Sequence, residues 1–117
     1  MKYMLLIYNE PANWPGDAAS GEQLMKAYVA FSESIAKSGE MVAGDPVQGI
    51  ETATSVRVRD GKRTTTDGPF AETKEHLGGY YIVDVADLDR ALELAAQIPD
   101  AHSGVIEVRP LAEFPAV

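Results

Sequence analysis

Between positions 67 and 85 the chain reads DGPFAETKEHLGGYYIVDV, a stretch that gathers several side chains able to do chemistry. Asp67, Glu72, Lys74, Glu75 and His76 follow one another closely, just before a glycine pair, Gly78-Gly79. A carboxylate beside a lysine becomes a general base when burial raises its pKa toward neutrality. The lysine can equally steady an enolate or hold an anionic substrate group. His76 can shuttle a proton near neutral pH. These five are the candidate catalytic residues. The same residues also read as a solvated loop whose salt bridges contribute under ~1 kcal/mol each.

Other chemistries find little support. The chain has no Cys, which removes disulfides, thiol nucleophiles and thiolate metal sites. Its two histidines, His76 and His102, and its scattered acids make no recognisable ligand spacing, so no metal is expected. Phosphate-cradling glycine loops and nucleophile elbows are absent from the sequence, and no cofactor is expected. The net charge of −8 disfavours nucleic acid, which needs clustered cations. The opening apolar run, Tyr3 to Tyr8, is too short for a signal peptide's apolar core, and nothing reaches the length of a membrane span. A cytoplasmic protein is expected.

The positioning elements follow from periodicity. A length of 117 residues suits a single domain over positions 1–117. Tyr3 to Tyr8 reads as a doubly buried strand. Asn9 to Ala19, with two prolines and the only Trp, reads as a loop. Ser20 with Gln23 forms a capping box, and Leu24, Tyr28, Phe31 and Ile35 recur at helical spacing until Gly39. Met41 to Val47 is a second strand. Thr54 to Arg59 and Lys62 to Thr66 flank Asp60-Gly61 as a hairpin. Phe70 can plug the following loop onto the core. Tyr80 to Val85 is a strand, with His76 before it in a loop. Asp87 caps a second helix with a stripe of Leu88, Ala91, Leu92, Ala95 and Ile98. His102 falls in a surface turn, and Val105 to Arg109 closes the sheet. The order is that of an α+β, ferredoxin-like βαββαβ fold with an extra β-hairpin.

Two helices cover one face of such a sheet. The other face carries Met4, Leu6, Tyr8, Tyr80 and Ile82, with Asp84, Glu107 and Arg109 among them. A face so apolar marks an interaction surface. It is expected to close on a second copy, giving a homodimer with a ligand pocket in the cleft. Tyr8, Tyr80, Asp84 and Arg109 are the candidate substrate-binding residues. Asp84, Glu107 and Arg109 also read as a structural ion-pair cluster.

The run Asp67-Gly68-Pro69-Phe70-Ala71-Glu72-Thr73-Lys74-Glu75, then Leu77-Gly78-Gly79-Tyr80-Tyr81, resembles the signature of the DGPF-type branch of the YCII-related family. Met1-Lys2-Tyr3-Met4 and Glu107-Val108-Arg109-Pro110 are similar to that family as well. The resemblance implies a dimeric α+β barrel. It also implies acid–base chemistry from a His on the first helix with a nearby Asp, but this first helix has no His and Tyr28 stands at the expected place. One related group removes halide from a chlorinated hydroxyquinol. Other members are associated with extracytoplasmic-function sigma factors. Two readings follow: a small-molecule binder or cofactor-independent lyase- or isomerase-like enzyme, and a protein-interaction module acting on a sigma factor.

Overall fold

The computed structural model describes residues 1–114. The main strands are β1 (Lys2–Asn9), β2 (Met41–Pro46), β5 (His76–Asp84) and β6 (Val105–Pro110); β3 (Thr54–Arg59) and β4 (Lys62–Asp67) form a separate pair. The helices are α1 (Ala18–Lys37) and α2 (Leu88–Gln97). The sheet order is β2-β5-β1-β6, all antiparallel, which is the ferredoxin-like arrangement with β1 and β5 in the centre.

Alternation along the central strands decides which side holds the core. Tyr3, Leu5 and Ile7 of β1, with Tyr81 and Val83 of β5, are buried toward the helices. Phe31 and Ile35 of α1 and Ala91, Leu94, Ala95 and Ile98 at α2 close over them. Phe31 meets the Tyr81 ring edge to face, with centroids 5.1 Å apart. The α2 stripe is rotated from the expected one. Leu94 is buried, whereas Leu88 and Leu92 are about half exposed. Residues 91, 94, 95 and 98 share one helical face, and the small Ala91 and Ala95 let the backbone approach the sheet.

Helix ends follow local chemistry, with one revision. α1 begins ahead of Ser20, because the Asp17 carboxylate accepts from the Ser20 amide and serves as the cap. Gly39, at φ +82°, ends the helix as expected, and Glu40 N–H returns to the Ile35 carbonyl. Glu40 then fixes α1 to α2. Arg90 Nε and Nη2 grip its two carboxylate oxygens at 2.8 and 2.9 Å. That pairing, then a bond from Ser38, holds the Glu40 carboxyl down at about 2.

The hairpin β3–β4 turns through Asp60 and Gly61, both at positive φ, as an Asp-Gly pair favours. It makes no extensive packing contact with another element among the described residues. Val56 and Val58 are 58% and 59% exposed. Phe70, expected to plug the loop onto the core, is 82% exposed. Its loop follows an arm that leaves the body, so no core surface lies beneath it.

On the open face of the sheet Met4, Leu6, Tyr8, Tyr80 and Ile82 are half-buried within one chain. The ion-pair cluster does not form there. Asp84 lies opposite Lys2 and Arg109 opposite Met4, so strand β1 separates them. Asp84 instead takes the Met1 ammonium at 2.9 Å, and Arg109 is exposed and makes no salt bridge among the described residues.

Candidate functional site

The first turns of α1 stand away from the sheet, and the gap is a cavity of about 650 Å³. Apolar residues form its walls: Ile7, Leu24, Val29 and Ile50, with the Trp14 indole. Pro46 to Ile50, the segment leading out of β2, closes one side. Tyr28, Ser32, His76 and Asp100 bring polar atoms to this mainly apolar space.

Those polar atoms form one network. Asn9 ends β1 on the core side and is fully buried. Its Nδ2 donates to Asp100 Oδ1 at 2.7 Å and to Ser103 Oγ at 2.8 Å. Its Oδ1 accepts from the Glu10 amide and from Asn13 Nδ2, both at 2.9 Å. Every hydrogen-bonding site of the Asn9 amide is therefore used. Asp100, also buried, follows Pro99 in the short 3-10 turn after α2. Trp14 Nε1 donates to its Oδ1 at 3.2 Å, and Tyr28 donates its hydroxyl proton to Oδ2. Three donors thus satisfy the oxygens of a carboxylate that is buried away from water.

Tyr28 is held in the neutral form. Burial first, and then its hydrogen bond to Asp100, push it well above the usual phenol range. Ionising it would set a second anion against the Asp100 carboxylate. The hydroxyl thus donates inward and keeps its lone pairs for a guest. A guest hydroxyl bonded there can pass its proton to Tyr28 as Tyr28 passes its own to Asp100 Oδ2. Oδ1 remains bonded to Asn9 and Trp14 throughout.

The structure distributes the residues named from sequence over several places. His76 lines the cavity, whereas Tyr80 borders it from β5 with its ring on the open face, opposite Leu6. His76 belongs to β5 rather than to a loop, because pairing with Asn9 of β1 extends that strand through the glycine pair. The Tyr80 hydroxyl donates to Asp45 Oδ2 at 3.1 Å, and that bond raises its pKa. Asp67 closes the hairpin opposite Thr54. Glu72 and Lys74 are exposed in the loop that follows, Glu75 is half-buried, and Lys74 pairs with Glu10 at 3.4 Å. Tyr8 lies on the open face, and Asp84 and Arg109 are exposed on that side of the sheet. His102 ends the turn that carries Asp100 and is exposed.

Asn9, Trp14 and Asp100 escaped the sequence reading as site residues. One signal pointed to them. Tyr28 sits on the apolar stripe of α1, and a buried phenol needs an acceptor that the stripe does not offer.

A model of the YCII-related domain matches residues 1–115. The chain belongs to the YCII-related family. It is 35% identical over 117 residues to an uncharacterized protein of Rhizobium meliloti (strain 1021), covering 97% of this chain and 94% of that one. Among solved structures it is similar to 5-chloro-2-hydroxyhydroquinone dehydrochlorinase from Burkholderia phenoliruptrix AC1100, in complex with 2,5-dihydroxybenzoquinone. The TM-score is 0.56, with 97% of this chain and 96% of that one covered. At 14% identity the likeness is one of fold.

In this YCII-related protein the glycines of the signature have assignable work. Gly68, at φ +99°, donates to the Ala53 carbonyl at 2.7 Å and accepts from Ser55 Oγ at 2.8 Å, closing the base of the hairpin. The register of β5 against β1 skips Gly78, which bulges against the Trp14 ring. A Cβ there would lie 3.0 Å from the indole. Gly79 passes under Asp45 and Pro46, where a Cβ would meet backbone at 2.9 Å. The glycine pair shapes the cavity wall by being small.

Proposed function

We propose that this YCII-related protein binds a small, flat, hydroxylated molecule in the cavity beneath α1 and performs cofactor-independent acid–base chemistry on it, of lyase or isomerase type. The observation that carries the reading is the Tyr28–Asp100 pair within an apolar cavity of about 650 Å³. Pockets of that size and lining suit small molecules. Tyr28 occupies the place on the first helix where the family resemblance implies a His, and Asp100 supplies the carboxylate. In this reading Tyr28 relays the guest's hydroxyl proton to Asp100, the resulting enolate or phenolate takes a proton at carbon and so tautomerises, and a leaving group on that carbon can then depart with its bonding pair. His76, on the cavity wall, is the second proton carrier. The structural neighbour is a dehydrochlorinase of a chlorinated hydroxyhydroquinone and holds a dihydroxybenzoquinone, which supports a hydroxylated ring as the guest class. The open face of the sheet closes on a second copy.

Trp14 is the only tryptophan and lines the cavity, so its emission reports occupancy. Titration with 2,5-dihydroxybenzoquinone, checked by calorimetry, should give saturable quenching in the wild type. Binding should weaken by roughly tenfold in Tyr28→Phe, the loss of about one hydrogen bond. Incubation with 5-chloro-2-hydroxyhydroquinone should release chloride, and Asp100→Asn should stop it. Binding that does not saturate, together with no chloride release, would overturn the reading. A second reading, an interaction module for an extracytoplasmic-function sigma factor, draws on the exposed valines of the hairpin. It expects such a factor to bind only while the hairpin is intact.

A further inference from the structure

The hairpin β3–β4 stands off the body of the chain that carries it. Its two strands pair with each other, from Thr54 opposite Asp67 to Arg59 opposite Lys62, and make no extensive packing contact with another element among the described residues. A lone two-stranded hairpin is marginally stable in water. The whole molecule spans 47 × 46 × 18 Å, with a radius of gyration of 16.3 Å. A compact chain of this length has a radius of roughly 13 Å. The shortest dimension shows that the arm stays within the slab of sheet and helices and does not fold back over either face.

The arm has two chemically different sides. Strand alternation puts Val56 and Val58 on one side, with Thr65 and Arg63 across from them. Arg57, Arg59 and Lys62 project from the other. Residues 54–67 hold four cations and two acids, a net +2, which leaves −10 on the rest of a chain whose total is −8. An exposed Phe70 follows the base of the arm. The body thus has the opposite charge to the arm. It also carries a half-buried apolar sheet face, Met4, Leu6, Tyr80 and Ile82, bordered by Asp45, Asp84 and Glu107.

We propose that the arm clasps a second copy of this chain, reciprocally about a two-fold axis. Its Val56–Val58 side lies against the apolar rim of that copy's open face. Arg63, on the same side as the valines, lies among the acids that border that face, and Arg57, Arg59 and Lys62 stay on the outer side of the arm. The chain carries both the clasp and a surface of complementary charge and apolarity, as an isologous contact requires. The arm leaves the body through Pro46 to Ile50, the segment that walls the cavity. Docking would therefore also hold one cavity wall in place.

Sedimentation at micromolar concentration should show a dimer. Val56→Asp/Val58→Asp should weaken it by roughly tenfold or more, since two apolar side chains would leave a contact. Replacing residues 55–66 by a short Gly-Ser turn should do the same, while the helical dichroism of the body is retained because the arm lies off it. The chain has no native Cys, so Val58→Cys can carry a single photo-crosslinker. In a mixture of isotopically light and heavy chains, crosslinks should join light to heavy and map to β1, β5 or β6. A monomeric wild type, a dimer indifferent to loss of the arm, or crosslinks confined to one chain would each overturn the proposal. The second outcome would leave closure of the sheet face intact and remove only the clasp.

Discussion

The two ends of α1 use the same helical stripe for opposite purposes. Toward the C-terminus, Phe31 and Ile35 are buried against Tyr81 and the sheet, and Glu40 beyond them is gripped by Arg90. Toward the N-terminus, Leu24 and Tyr28 continue the stripe but face a cavity. There a polar network replaces packing: Tyr28 reaches Asp100, which also holds Asn9 and Trp14. One end of the helix fastens the fold, and the other leaves room for a guest. Apolar periodicity alone marks both ends as core, because it reports which face turns inward and not whether anything meets it.

Substitutions along the stripe test this contrast. Ile35→Ala should cost about 2–5 kcal/mol in denaturant unfolding, as truncations of filled cores do. Leu24→Ala, at the cavity end, should cost under about 1 kcal/mol while changing ligand affinity. Equal costs at the two positions would erase the distinction. Asp100→Ala should follow Ile35→Ala in size, at about 1–3 kcal/mol, because three donors lose their acceptor. It should also shift the Trp14 emission. Tyr28→Phe should cost about 1 kcal/mol or less in stability, since Asp100 keeps two donors, and should act mainly on proton transfer.

The smallest expected effect lies at the packed end and depends on pH. Glu40 is held at about 2 in the folded chain, below its ordinary value of 4.5. Its stabilisation is therefore fully present above pH 4.5 and is lost as pH falls through about 2. Glu40→Gln should flatten that acid limb and leave Tyr28 and the cavity unaffected. Acid titration of thermal stability in the two proteins measures the difference.

The sheet was legible in the sequence because its signals are local: alternation in β1 and β5, the Asp60-Gly61 turn, and Gly39 at the end of α1. The centre of the sheet and the hairpin follow from those alone. The site network was not legible, because its partners lie far apart along the chain. Asn9 and Asp100 are 91 positions apart, and Tyr28 and Asp100 are 72 apart. Asn9 and Trp14 fall in or beside a loop whose prolines obscure any pattern, and Asp100 looks like punctuation after Pro99. The charged stretch at 72–75 attracts attention by composition, whereas the cavity is lined mainly by uncharged residues. The cap of α1 and the rotated stripe of α2 were misread for a related reason. Each had two acceptable local solutions, and packing chose between them.

The bulge at Gly78 means that Trp14 rests on naked main chain rather than on another side chain. Main chain in the middle of a sheet has one shape, whereas a side chain has several. The indole therefore inherits the rigidity of β5 even though it is carried by a loop. A ligand entering beneath α1 would meet a fixed plane on that side, and any adjustment of the cavity would fall to the helix and to the segment from Pro46 to Ile50.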